Sequence, residues 1–119
     1  MHELAVCRSM LSQVARIAAR HRARAVTRIS VRIGPLSGVE PNLLCQAFPF
    51  AAAGTVAEHA TLVVDAQPVR VHCEACGHDS DTGPRNLTCP RCGDGRTRLL
   101  SGDELLLAEV ELLHQATDA

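Results

Sequence analysis

A chain of 119 residues with 46% hydrophobic and 21% charged side chains and a formal net charge of −1 suits one modest domain with a small appendage. Two full domains would be crowded at this length, and no apolar run is long enough to cross a bilayer. Phe48 and Phe50 are the only Phe, Tyr or Trp residues, so Leu, Val, Ile and Ala must build a core that would gain from a metal staple.

The chain begins Met1-His2-Glu3. A free amine, the deprotonated amide nitrogen of residue 2 and the His2 imidazole can wrap one ion in fused chelate rings. Glu3 can add its amide nitrogen or its carboxylate. Such a nitrogen-rich set suits Ni(II) or Cu(II) and suits zinc poorly. On these three residues alone a second reading stands beside it: a chance histidine, followed by an acid complementing a helix dipole. Leu4, Cys7, Leu11, Val14 and Ala18 recur at spacings of three and four, which predicts an amphipathic helix over 3–20. Glu3 and Arg8 interrupt this segment too early for a secretory signal, and a strand pattern follows without room for a transit-peptide cleavage site. Cytosol is the expected compartment.

From Thr27 to Gly34 the chain alternates, Ile29, Val31 and Ile33 against Arg28, Ser30 and Arg32, which predicts a half-buried strand. Gly34 to Gly38 is a loop. Pro41 opens a second helix and Gly54 closes it, with a kink or break expected around Ala47 to Phe50 because Pro49 lacks a donor. Thr61 to Asp65 and Val69 to His72 are short valine-rich strands. The last element, Glu104 to Leu113, fits a strand through Leu106, Ala108, Val110 and Leu112 and a helix through Leu105, Leu106, Glu109, Leu112 and Leu113. Seven of the twelve arginines precede residue 33, against Glu3 alone. A basic patch for nucleic acid is one reading of that imbalance; a solvated helix face is favoured, since aromatic stacking residues and a recognition motif are missing.

Cys73-x2-Cys76 and Cys89-x2-Cys92 are each followed by glycine. Two-residue gaps let both thiolates of a pair face one ion, and the intervening loop can close a tetrahedral four-thiolate shell. That chemistry fits structural zinc. Between Glu74 and Arg98 the only large aliphatic residue is Leu87, so the segment cannot bury a core of its own. Zinc binding, about 10–16 kcal/mol in zinc-finger peptides, can supply what packing cannot. A rubredoxin-like iron site would want aromatic packing, one redox dithiol would not need two matched units, and two disulfides would suit a secreted chain. Cys7 and Cys45 read as buried small residues, and His72 and His78 as surface residues. A nucleophile motif and a phosphate-cradling glycine loop are both missing, so an enzyme is not expected.

The start MHELAVCRSML, the strand VTRISVRIGPLSGVEP, the AAAGT helix end, the two CxxCG units and the closing GDELLLAEVEL resemble, in order and almost end to end, the HypA/HybF family of hydrogenase maturation nickel chaperones. The resemblance implies an α+β fold: a small sheet of about three strands with two helices, formed by 1–66 and 103–119. An inserted four-cysteine zinc knuckle or ribbon takes residues 67–102. Glu104 to Leu113 then becomes a strand. By position, the Met1 amine, His2 and Glu3 match the family's nickel donors, Glu40 falls where an acid approaches the metal, and Cys73, Cys76, Cys89 and Cys92 match the zinc ligands. The implied function is delivery of Ni(II) to the large-subunit precursor of [NiFe]-hydrogenase. A HypB-type GTPase partners it, and urease accessory proteins do so in some organisms; neither nucleic acid nor membrane is a partner. The rival function is a zinc-ribbon nucleic-acid module. The chain departs from the family pattern in its arginine-rich stretch from Arg16 to Arg28 and at Pro49.

Overall fold

The computed structural model describes residues 3–114; Met1, His2 and residues 115–119 lie outside the described residues. The chain runs α1 (Glu3–Arg20), β1 (Ala25–Ile33), α2 (Pro41–Ala52), β2 (Thr61–Ala66), β3 (Val69–Cys73), β4 (Asp79–Thr82), β5 (Thr97–Ser101) and β6 (Leu105–Leu113). One three-stranded sheet has the order β2–β1–β6 and a second the order β4–β3–β5. The α+β class, the two helices and the final strand agree with the sequence reading. The ambiguity of the last segment resolves because its backbone pairs with β1: Arg24 N–H donates to Leu113 O and Gly34 N–H to Glu104 O. Partner numbers fall as β1 advances, so β6 runs antiparallel to it. The chain divides into two compact units, Met1–Val31, Val39–Val64 and Leu107–Ala119 in one, Arg32–Gly38 and Asp65–Leu106 in the other.

In the first unit, helix α1 buries Cys7, Met10, Leu11, Val14 and Ala18, the stripe expected from its spacing. Helix α2 buries Leu44, Phe48 and Ala52, one side chain per turn. Cys45 lies one position off that stripe, about 100° around the helix. It is therefore exposed, correcting the expectation that it is buried, whereas Cys7 is fully buried and its thiol donates to Leu44 O at 3.6 Å. Of the kink or break expected around Ala47 to Phe50, the break is corrected. The helix continues through Pro49 to Ala52, and Ala53 N–H donates to Pro49 O at 3.2 Å. Proline costs the helix one donor but its own carbonyl still serves the next turn. Gly54, at φ +78°, takes the left-handed conformation after the helix end.

The end of α1 has an unusual occupant. Ala23 N–H donates to Ala18 O and Arg22 N–H to Ala19 O, the bonding pattern of a Schellman cap. Its left-handed residue is Arg22, at φ +54°, where glycine is usual. A side chain there costs about 1–2 kcal/mol.

In the second unit, β3 turns Val69, Val71 and Cys73 inward. Arg70 and His72 face outward opposite Asp81 and Asp79 of β4, with contacts of 3.4 and 2.7 Å. These cross-strand pairs explain a strand made of Asp-Ser-Asp-Thr, which has little strand propensity of its own. The unit is also held at a backbone contact. A Cβ on Gly34 would lie 2.1 Å from the carbonyl of Gly102, and one on Gly102 would lie 2.9 Å from Val69. Leu36 N–H donates to Gly102 O at 2.7 Å. Gly34→Ala must therefore separate two backbones; unfolding in urea should show a loss of about 1–3 kcal/mol or more, against a change near zero for Gly95→Ala, where the space is open.

Candidate metal centre

The two CxxCG units fold in the same way. Cys73 N–H donates to His78 O and Gly77 N–H to Cys73 O; Cys89 N–H donates to Asp94 O and Gly93 N–H to Cys89 O, all between 2.8 and 2.9 Å. Gly77 and Gly93 take φ of +76° and +78°, a turn that a side chain would strain. Each turn aims both sulfurs of its pair to one side. The consequence is a cluster in which the Sγ atoms of Cys73, Cys76, Cys89 and Cys92 all lie within 4.8 Å of one another. Cys73 and Cys92 sulfurs are 3.6 Å apart and those of Cys76 and Cys89 3.7 Å.

Those distances discriminate between the chemistries weighed above. A disulfide requires about 2.05 Å, and all six cysteines are free. Sulfurs at about 2.3 Å from a tetrahedral zinc ion stand about 3.8 Å from each other. The observed pairs sit close to that edge, so the residues fit a four-thiolate metal site. Arg96 and Arg98 flank it, Arg96 gripping Asp94 at 3.0 Å and Arg98 reaching Glu74 at 3.4 Å. Asp94 also accepts from Arg96 N–H at 2.8 Å, and the arginine holds this carboxyl below its ordinary range.

Charge shows what the cluster lacks by itself. The backbone N–H of Cys92, helped by that of Arg91, draws the Cys89 thiol down to about 7. At Cys92 the Asp94 N–H favours the thiolate, but hydrogen bonds shared with Cys73, Cys89 and Cys76, together with burial, outweigh it and push the thiol up to about 12. Cys76 receives an N–H bond from His78, yet burial and its Cys73 and Cys89 neighbours raise it. Four sulfurs this close cannot all ionise without a cation among them.

The amino-terminal donors present a different picture. Met1 and His2 lie outside the described residues. Glu3 begins α1 and lines a groove of about 370 Å³ with Leu4, Leu43, Gln46, Ala47 and Phe50. Glu40 is the N-cap of α2, its Oε1 accepting from Asn42 N–H at 3.1 Å. Sequence reading had no account of this capping role, although an acid just before Pro41 is a recognisable start signal. Glu3 thus shares a groove with Leu43, one turn into the helix that Glu40 caps.

Metal removal provides the test of the cysteine site. Zinc binding to the metal-free protein at pH 7 should release at least two protons, because Cys76 and Cys92 start as raised thiols. Protons compete with the metal, so affinity should fall about 100-fold or more per unit of acidification, as read by competition titration. Cys89→Ser should lose bound zinc and the amide dispersion of residues 73–98.

Three comparisons bear on what this arrangement is. The family model described as "Hydrogenase/urease nickel incorporation, metallochaperone, hypA" matches residues 1–112. A hydrogenase maturation factor HypA of Nitrosospira multiformis is 47% identical over 113 residues, covering 95% of this chain and 98% of the relative. Its counterpart in Aquifex aeolicus is 39% identical, covering 94% and 97%. Among solved structures, the solution structure of the Ni metallochaperone HypA from Helicobacter pylori superposes with a TM-score of 0.67 at 26% identity, over 97% of this chain and all of that one. A second HypA solution structure gives 0.72 at 25% identity, over 97% and 98%. With its helices, its two small sheets and its four-cysteine metal site in the family's order, the chain belongs to the HypA family of nickel-incorporation metallochaperones.

Proposed function

We propose that the chain binds one Ni(II) at its free amino terminus and delivers it to the large subunit of a [NiFe]-hydrogenase during maturation. The observation that carries this reading is the family match over residues 1–112, which takes in His2 and all four knuckle cysteines together. The Met1 amine, the backbone nitrogens of His2 and Glu3 and the His2 imidazole are the donors. They form a nitrogen-rich set suited to Ni(II). Glu3 and Glu40 supply negative charge near it, Glu40 while also capping α2. Because amide nitrogens must lose protons on binding, nickel is held more weakly as pH falls. Binding that depends on proton count suits a carrier that must also let go.

Zinc is the resident metal in this reading, held by Cys73, Cys76, Cys89 and Cys92 in a domain of residues 67–102, with 1–66 and 103–119 forming the nickel-binding domain. A closed thiolate shell has no open position for a substrate, so zinc's contribution is to hold the fold. The chain is a carrier and not an enzyme; GTP hydrolysis belongs to a HypB-type GTPase partner, and urease accessory proteins are a second class of client. Among the described residues no helix is long and apolar enough to cross a membrane. We place the protein in the cytoplasm, where six free cysteines stay reduced.

Isothermal titration of untagged, zinc-loaded protein with Ni(II) should give one site per chain. His2→Ala, or a blocked amine at Met1, should remove that site while zinc content stays unchanged. Equal nickel affinity in either variant would overturn the proposal.

A further inference from the structure

Helix α1 carries chemistry at both ends, and only the first turn is accounted for by nickel. Arg8, Arg16 and Arg20 lie on its exposed side, and Arg22 and Arg24 continue the series into the turn before β1. Among the described residues none of these five has a carboxylate partner; the ion pairs that form use Arg32, Arg70, Arg96 and Arg98. Arg16 and Arg20 are one helical turn apart, so two like charges are held side by side. The helix dipole accounts for Arg20 in the last turn, but it does not account for Arg22. That residue holds a left-handed cap position, φ +54°, which glycine would fill without strain. A strained position occupied by an exposed cation is a reason to look for a function of the cation.

We propose that Arg16, Arg20, Arg22 and Arg24 form a docking surface for a segment of a partner protein rich in Asp and Glu. Charge distribution favours this occupant over a nucleic acid. The compact unit that contains the patch carries six arginines and six carboxylates, so its positive charge is local and has no long-range field for an extended polyanion. Phe48 is buried on α2, the exposed Phe50 lines the groove with Glu3 at the opposite end of α1, and Trp and Tyr are missing from the chain, which leaves the patch without a platform for stacked bases. A membrane surface fits poorly as well, because the exposed side of α1 offers Ser12, Ala15 and Ala19 where a bilayer would need large apolar anchors. Guanidinium groups match carboxylates in a paired, planar geometry that a short acidic segment can present. Along this 18-residue helix Arg16 and Arg20 lie about 20 and about 25 Å from Glu3. A partner docked there leaves the amino terminus open, and the inference holds whether or not nickel binds at that end.

The test uses full-length, untagged, zinc-loaded protein and fluorescence anisotropy with a labelled polyglutamate peptide, a short DNA duplex and vesicles of phosphatidylserine and phosphatidylcholine. Wild type should bind the peptide more tightly than duplex or vesicles, and binding should weaken at least about tenfold as ionic strength rises from about 0.05 to about 0.3 M. The triple variant Arg16→Gln, Arg20→Gln, Arg24→Gln should lose at least about tenfold in peptide affinity with unchanged nickel stoichiometry. Arg22→Gly separates binding from folding: it should raise the thermal midpoint by roughly a few degrees while weakening the peptide complex. Peptide affinity equal in wild type and triple variant would overturn the proposal, as would tighter binding of the duplex or the vesicles. Loss of nickel binding in wild type would instead sink the carrier reading and leave this surface standing.

Discussion

Four sulfur atoms within 4.8 Å of one another set the terms for the segment from Cys73 to Arg98. No cluster of large apolar side chains in that segment can organise it. Its single large aliphatic side chain, Leu87, stays exposed, and its strand β4 is built from Asp, Ser, Asp and Thr. Exposed cross-strand ion pairs such as Arg70 with Asp81 contribute at most about 1 kcal/mol each. At Cys92 the Asp94 N–H favours the thiolate, but hydrogen bonds shared with the other sulfurs, together with burial, push the thiol up to about 12, while the Cys92 backbone N–H draws Cys89 down to about 7. A divalent cation held there would convert that conflict into the main source of order, since it favours thiolate at all four positions. The local turns are prepared for it by backbone alone, through the paired Cys-to-Gly hydrogen bonds.

A second constraint is steric. Gly34 and Gly102 meet through their backbones, and Val69 packs against Gly102. The loop after β1, the first residue of β3 and the turn between β5 and β6 are thereby fixed without using a single large side chain. Glu104 reinforces the turn, its carboxylate accepting from Gly102 N–H at 2.7 Å. This economy suits a chain with two Phe and no Trp or Tyr, where large contacts are scarce.

Helix α1 joins these structural demands to function. Its buried stripe of Cys7, Met10, Leu11, Val14 and Ala18 leaves two features unconsumed, the acid of its first turn and the cations of its exposed side and last turn. Glu3 shares a groove with Leu43, Gln46 and Phe50, and Phe50 is 81% exposed. The helix is a rigid spacer between the acid of its first turn and a surface that carries positive charge.

Periodicity and spacing determined much of this protein by themselves. Both helices, the strand around Ile29 to Ile33 and the two CxxCG units were legible because burial imposes a repeat of 3.6 or 2 on apolar residues, and because thiolate chelation imposes a short fixed gap. The tertiary structure decided what local pattern leaves open. Leu105 to Leu113 had two compatible periods, and only pairing with β1 selects the strand. Asp79 to Thr82 and Thr97 to Ser101 became strands through register with β3, a long-range term that propensity does not contain. Cys45 reached solvent because a burial stripe one residue wide excludes its neighbour, and Pro49 stayed helical because packing of Phe48 and Ala52 outweighs one missing donor. The close approach of Gly34 to Gly102 was invisible in sequence for the simplest reason: contact between residues 68 positions apart depends on the whole path of the chain between them.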